Sequence, residues 1–162
     1  TKKGKEHARL IAKKLKNKRF QVAIHTSLSR SFDTLNPVLK LHPECKLILT
    51  DDRMIERKYG ELQGKYHKDI IKKYGIEQYE KWHRGYSKKN RPPKGESFAD
   101  VEVRVKKFIK DLKKFIKKNK VNVAISAHGN SIRLFRKIME KAPVKETVKW
   151  KIPYDKVFEY KI

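Results

Sequence analysis

The sequence predicts one α/β domain over residues 1–162, built as three α/β/α layers around a mostly parallel sheet. Short apolar runs of strand length are separated by segments with helical spacing of apolar residues. No internal repeat breaks the pattern, and 162 residues are enough to bury one real core.

Taken in order, residues 2–17 read as an amphipathic helix with Ala8, Leu10, Ile11 and Leu15 on its apolar side. Phe20 to Ile24 is a short strand with the polar end His25-Thr26-Ser27. Residues 29–41 read as a helix that stops before Pro43, and Leu47-Ile48-Leu49 is a second strand closing at Thr50-Asp51-Asp52. Residues 53–65, with Gly60 and Gly64, read as loop. Two short helices are expected near 66–73 and 76–83, split by Gly75, and 87–95 is a Lys/Pro-rich surface loop. Ser97 caps the longest helix, 98–118, whose stripe is Phe98, Val101, Val105, Phe108, Ile109, Leu112, Phe115 and Ile116. A strand at 121–127, a helix at 131–140 and a last strand at 156–161 complete the chain.

Composition narrows the function classes. No run approaches the ~18 apolar residues of a membrane span, and nothing resembles a signal peptide. The single cysteine, Cys45, excludes an internal disulfide and a cysteine zinc cluster. The chain therefore reads as cytoplasmic. Lys+Arg of 43 against Asp+Glu of 18 gives a formal charge of +25. A nucleic-acid binder, an enzyme steering polyanionic small molecules, or a lysine-rich proteome would each produce such a charge. Here the lysines recur on polar helix faces, as in Lys106-Lys107, Lys110, Lys113-Lys114 and Lys117-Lys118. The third explanation covers most of them, and a nucleic-acid partner is not expected.

The most informative stretch is Ser126-Ala127-His128-Gly129-Asn130-Ser131. A buried strand stops, glycine turns the chain, and a helix begins with free N–H groups aimed at one point, which makes an anion site. His128 in its mouth can hydrogen-bond a phosphoryl oxygen or charge near neutral pH. Taken alone, the same residues also fit a turn histidine beside an Asn- or Ser-capped helix. In open α/β sheets ligands gather beyond the carboxyl ends of the strands. If the strands are parallel, three such loops converge and bring together Arg30, Glu56, Arg57, Tyr59 and His128. Guanidinium forks hold phosphate oxygens and a carboxyl moves a proton, so the set suits phosphate chemistry. No spacing of metal ligands appears.

At these residues the chain resembles the histidine phosphatase superfamily, and within it the cofactor-dependent phosphoglycerate mutases. Thr1-Lys2-Lys3-Gly4 resembles the family's Leu-Thr/Ser-x-x-Gly helix start. Thr26-Ser27-Leu28-Ser29-Arg30 with Thr34 resembles the Ser-x-Leu-x-Arg…Thr segment whose arginine clamps phosphate. Glu56-Arg57-Lys58-Tyr59-Gly60-Glu61-Leu62-Gln63-Gly64 is similar to the mutase Glu-Arg-x-Tyr-Gly-x-Leu-Gln-Gly. Trp82-His83-Arg84-Gly85-Tyr86 resembles Trp-Arg-Arg-Gly-Phe, Gly95-Glu96-Ser97 the Glu-Ser before the long helix, and Ala127–Ser131 the second histidine motif. Ile152-Pro153 recurs near the mutase C-terminus. The motifs run in order through nearly the whole chain.

The resemblance implies a phosphoglycerate mutase-like fold and activity: 2,3-bisphosphoglycerate-dependent interconversion of 3- and 2-phosphoglycerate through a phosphohistidine, a glycolytic step needing no metal. It implies Arg30 and His128 as stabilisers of the phosphoryl group and Glu56 as the proton carrier. Arg57, Tyr59, His83, Arg84, Gly129 and Asn130 become substrate contacts, the substrates small anionic phosphates, and a homo-oligomer is allowed. Two departures stand out. His83 replaces an arginine and His67 a lysine at positions resembling contacts to the substrate carboxylate, where Lys65 or Lys68 could substitute. The family's Arg-His-Gly, on the first strand, does not occur in this sequence, which begins inside the segment that follows it in relatives. An N-terminally incomplete domain is therefore expected, with a gap in the sheet beside strand 121–127 or another peptide in that slot, and no activity of its own. The alternatives are a phosphomonoesterase of the same superfamily and, in another class, a non-catalytic basic module.

Overall fold

A computed structural model describes residues 1–162. Three strands, β1 (Val22–His25), β2 (Leu47–Thr50) and β3 (Val123–Ile125), form a parallel sheet in the order β2-β1-β3. β1 pairs Val22 with Leu47 on one side and with Val123 on the other. The helices are α1 (Lys2–Leu15), α2 (Ser29–Leu39), α3 (His67–Tyr74), α4 (Ile76–Arg84), α5 (Phe98–Asn119), α6 (Gly129–Glu140) and α7 (Val144–Thr147). The expected split between the two short helices is there: Gly75 takes φ +84°, a conformation that side chains rarely tolerate.

Alternation along β1 sorts the core into two layers. Val22 and Ile24 face α5 and α6, packing with Met54, Phe98, Val101, Val105, Phe108 and Leu134. Ala23 faces α1 and α2, against Ile11, Ala12, Leu35 and Val38. A third cluster of Leu62, Ile70 and Tyr79 seats α3 and α4. The predicted α5 stripe is buried from Phe98 to Leu112, while Phe115 and Ile116 are half-buried. Its start is a capping box: Asp100 N–H donates to Ser97 Oγ, and Ser97 N–H to the Asp100 carboxylate.

Two expectations need correction. The segment 156–161 is not a strand: it has no neighbour to pair with and is held by side chains instead. Tyr160 donates to Glu140, Lys18 pairs with Glu159 at 2.8 Å, and Arg136 lies over Phe158 at 4.5 Å. The loop 87–95 is not wholly surface, because Pro92 is fully buried. There the chain packs on Gly60, whose φ is +59° and where any Cβ would strike the Pro93 carbonyl.

β3 pairs only with β1, and its other edge opens on a groove of about 1900 Å³. The groove is lined by Ile116, Val121, Val123, Ile125, Phe135 and Phe158, and its mouth by Arg30, Glu56 and His128. At the opposite edge β2 exposes Leu47, Ile48 and Leu49, each 37–45% accessible.

Leu134, with no exposed surface, lies where α5 and α6 meet the sheet. Leu134→Ala is expected to cost about 2–5 kcal/mol of unfolding free energy, read by urea titration with the m-value unchanged.

Candidate active site

The chain builds its sheet outward from β1, with β2 on one side and β3 on the other, so the loops leaving β1 and β3 diverge and open a crevice. Ser31 and Ser126 lace these two loops together. Ser31 Oγ accepts from Thr26 N–H at 2.9 Å and donates to the Ser126 carbonyl at 2.8 Å, and Ser126 Oγ donates to the Ser31 carbonyl at 2.7 Å.

Arg30, exposed on the first turn of α2, donates from Nε to His128 Nδ1 at 3.3 Å. His128 Nε2 lies 2.7 Å from Thr26 Oγ1. An arginine only donates, so this network assigns Nδ1 as acceptor and the hydrogen to Nε2 of a neutral imidazole. His128 is only 5% accessible. Burial holds its pKa below the ordinary histidine value; Glu56 and Asp52 pull the other way, while Arg30 and Arg104 reinforce the burial.

The start of α6 does receive an anion, and it is the protein's own. Glu56 Oε1 accepts from Asn130 N–H at 3.2 Å and from Arg57 N–H at 2.9 Å. Asn130 Nδ2 donates to the Tyr59 hydroxyl at 3.1 Å, and Gly129 lies beside Glu56. A methyl group at Gly129 would meet only ordinary contacts, so packing of the protein itself does not require glycine there. Arg57 is 2% accessible, sandwiched at 4.5 Å between the Tyr59 and Phe98 rings. All three of its side-chain nitrogens are buried without an acceptor. A buried guanidinium left so is costly, and it is a ready partner for an anion.

The sequence-predicted residues thus fall into two adjoining hollows. Arg30, Glu56, His128 and Gly129 line the mouth of the β3 groove. Tyr59 and His83 line a separate pocket of about 150 Å³, with His67, Tyr79 and Trp82. His83 stacks on Tyr79 with ring centroids 5.1 Å apart, and its pKa is lowered by burial and by Arg84, Arg57 and His67. Arg84 is exposed and donates to the Val148 carbonyl at 3.2 Å, outside the Glu56–Asn130 network.

Sequence reasoning passed over three contributors. Thr26, in sequence only one position of a motif, holds His128. Arg104 donates to the carbonyls of Arg53, Ile55 and Glu56 and to both oxygens of Glu96, and so fixes the loop that carries Glu56. Its signal was its place between Val101 and Phe108, on the inward flank of α5. Arg133, one turn into α6, binds the Asn130 side chain. No group of three His, Cys, Asp or Glu side chains is placed to hold a metal ion.

The model of the histidine phosphatase superfamily (branch 1) matches residues 1–162. The chain belongs to that superfamily. It is 33% identical over 156 residues to 2,3-bisphosphoglycerate-dependent phosphoglycerate mutase 2 of Gloeobacter violaceus, covering 95% of this chain and 70% of the relative. It is 40% identical over 105 residues to the 2,3-bisphosphoglycerate-dependent phosphoglycerate mutase of Chlamydia caviae, covering 65% of this chain and 45% of that one. The matched region therefore spans about half to seven-tenths of these relatives' lengths. In fold it is similar to mycobacterial glucosyl-3-phosphoglycerate phosphatase (TM-score 0.77, 21% identity, 91% of this chain and 70% of that one). A phosphoglycerate mutase from Bacillus anthracis gives 0.67 at 20% identity, over 87% and 68%. The superfamily fold, α/β with a parallel sheet, is thus established for this chain, and no helix in it is long and apolar enough to cross a membrane.

Because the folded pKa of His128 lies below its unfolded value, the unfolded state binds the extra proton first. His128 therefore favours folding above the unfolded histidine value of about 6.5, and this is lost as pH falls through it. Unfolding free energy is expected to drop between pH 7 and 5, with a shallower slope in His128→Gln. A midpoint for His128 at or above 6.5 in an NMR titration would contradict the burial argument.

Proposed function

We propose that this chain forms the substrate-binding body of a 2,3-bisphosphoglycerate-dependent phosphoglycerate mutase of the cytoplasm, working on small phosphorylated acids in glycolysis. The observation that carries the reading is the pair of cationic lobes on either side of Glu56. Arg30 and His128 form one; the unpartnered Arg57, with Arg84 close enough that both act on His83, forms the second. A substrate with a phosphate at one end and a carboxylate at the other matches two such lobes. The mutase relatives favour the same choice.

In this reading a histidine on a strand paired with β3 is the nucleophile. Its nitrogen takes the phosphoryl group as the P–O bond to the donor breaks, and a substrate hydroxyl later takes the group back. Bisphosphoglycerate supplies the phosphoryl group that primes the cycle. Arg30 replaces its bond to His128 by bonds to phosphoryl oxygens, and a protonated or re-tautomerised His128 joins it. Glu56 accepts and returns the hydroxyl proton. Arg57, Tyr59, His83, Arg84, Gly129 and Asn130 hold the rest of the substrate. The exposed apolar edge of β2 supports self-association of the protein.

A second reading, phosphomonoester hydrolysis, is favoured by one feature: His83 is held neutral where a fixed cation would bind a carboxylate. An enolase-coupled assay of the chain extended by an Arg-His-Gly strand separates the two. Flux from 3-phosphoglycerate that depends on bisphosphoglycerate is expected; phosphate release from many monoesters without that flux moves the assignment to hydrolysis. The 162-residue chain alone is expected to form no phosphohistidine.

Within the extended protein, Arg30→Ala and His128→Ala are each expected to lower single-turnover transfer by about 10²–10³-fold, the scale for losing one oriented donor. Glu56→Gln should slow transfer to a hydroxyl more than it weakens binding. Near-wild-type rates in the Arg30 or His128 variant would remove these residues from the site.

A further inference from the structure

Arg133 is a cation without a carboxylate. Its Nη1 donates to Asn130 Oδ1 at 2.9 Å and its Nη2 to the Trp150 carbonyl at 2.6 Å, while Nε is buried with no acceptor. The Phe98 ring lies 5.2 Å from the guanidinium, and no acidic side chain comes within ion-pair distance of it. Neutral carbonyl oxygens are weak compensation for a half-buried charge, so the placement calls for a reason.

The reason lies in the direction of the hydrogen bonds. An asparagine amide has a donor end and an acceptor end, and rotating it by a half-turn exchanges them at almost no steric cost. Arg133 has only donors, so it forces Oδ1 of Asn130 toward itself and Nδ2 toward Tyr59. The Tyr59 oxygen then accepts from Asn130, and its own hydrogen must be given elsewhere. With Arg133 absent, the amide is free to turn, and Tyr59 would give its hydrogen to Asn130 instead. Each bond in such a chain polarises the next, so the cationic end strengthens the donor at the far end.

We propose that Arg133 is a positioning residue that orders the relay Arg133→Asn130→Tyr59, so that the Tyr59 hydroxyl hydrogen and the second Asn130 N–H are offered to an anionic substrate oxygen. The inference rests on the site assignment above, because it needs a ligand beside Tyr59 and Asn130. A purely structural role, stapling α6 to the Trp150 segment, would also lower stability but would not act through Tyr59.

A double-mutant cycle on the 162-residue chain tests this, with 3-phosphoglycerate as the probe in titration calorimetry. Arg133→Met is expected to weaken binding about tenfold, the scale of one lost hydrogen bond to a charged ligand. In a Tyr59→Phe background the same substitution should change affinity by less than about twofold. An equal loss in both backgrounds, or less than a twofold loss in the first, overturns the proposal. If Arg133→Met does not fold, Arg133→Lys is read by the same criteria, since an ammonium cannot span Asn130 and Trp150 with two fixed prongs. A ligand-free readout separates this idea from the site assignment. The Asn130 side-chain amide protons, identified by their loss in Asn130→Ala, should be protected from exchange in the wild type and unprotected in Arg133→Met. Protection that survives the Met or Lys substitution overturns the relay. Its loss alongside a wild type that fails to bind 3-phosphoglycerate would instead retain the relay and overturn the site assignment.

Discussion

The loop that carries Glu56, Arg57 and Tyr59 has little regular structure, and one guanidinium holds it in place. Arg104 reaches from α5 to the carbonyls of Arg53, Ile55 and Glu56 and pairs with Glu96 at 3.0 Å. Glu96 in turn accepts from Lys58 N–H, so the far side of the same loop is pinned by the same pair. Burial pushes the Glu96 carboxyl up, but Arg104 and the Lys58 N–H outweigh it and leave the pKa lowered. The pair is therefore ionised at neutral pH, and both partners are about four-fifths buried. Removing one would strand the other, which is why such pairs, of small net worth, are costly to break. Without Arg104, the carboxylate at the start of α6 would lose its fixed origin, and the groups that meet there would lose their geometry.

Around that anchor the site is electrostatically unbalanced by design of the fold. Arginines outnumber carboxylates around Glu56 and Asp52, and the pKa values of His128 and, in the adjoining hollow, His83 are lowered by burial and by their cationic neighbours. The overall charge of +25 adds a long-range field of the same sign. Such a field attracts anions at long range, and Arg57, buried with no acceptor of its own, is the clearest unsatisfied short-range donor.

The free edge of β3 belongs to the same picture. Both faces of the sheet carry helices, and the C-terminal segment is tied back by Lys18 to Glu159, by Arg136 over Phe158 and by Glu140 to Tyr160. The groove between them has apolar walls and the backbone of β3 along one side. Arg30, Glu56 and His128 line the same groove as this edge.

The sequence by itself determined the layers, the parallel sheet and the capped long helix, and it marked out the loops that carry Arg30, Glu56, Arg57, Tyr59 and His128. Each of these follows from local periodicity, from a cap or turn residue, or from an ordered set of motifs, all of which are written in neighbouring positions. It misjudged 156–161, because alternation marks a strand only when an edge is available to pair with, and that depends on the rest of the sheet. Tertiary structure alone decided that His128 faces Thr26 and Arg30, that Glu56 occupies the α6 N-terminus, and that His83 lines a different hollow from Glu56. It also decided the roles of Arg104 and Arg133, whose partners lie 48 and 17 residues away at Glu56 and Trp150. A long charged side chain looks like solvated surface until the fold shows which carbonyls it reaches, and burial of donors is a property of the packed molecule rather than of any stretch of chain.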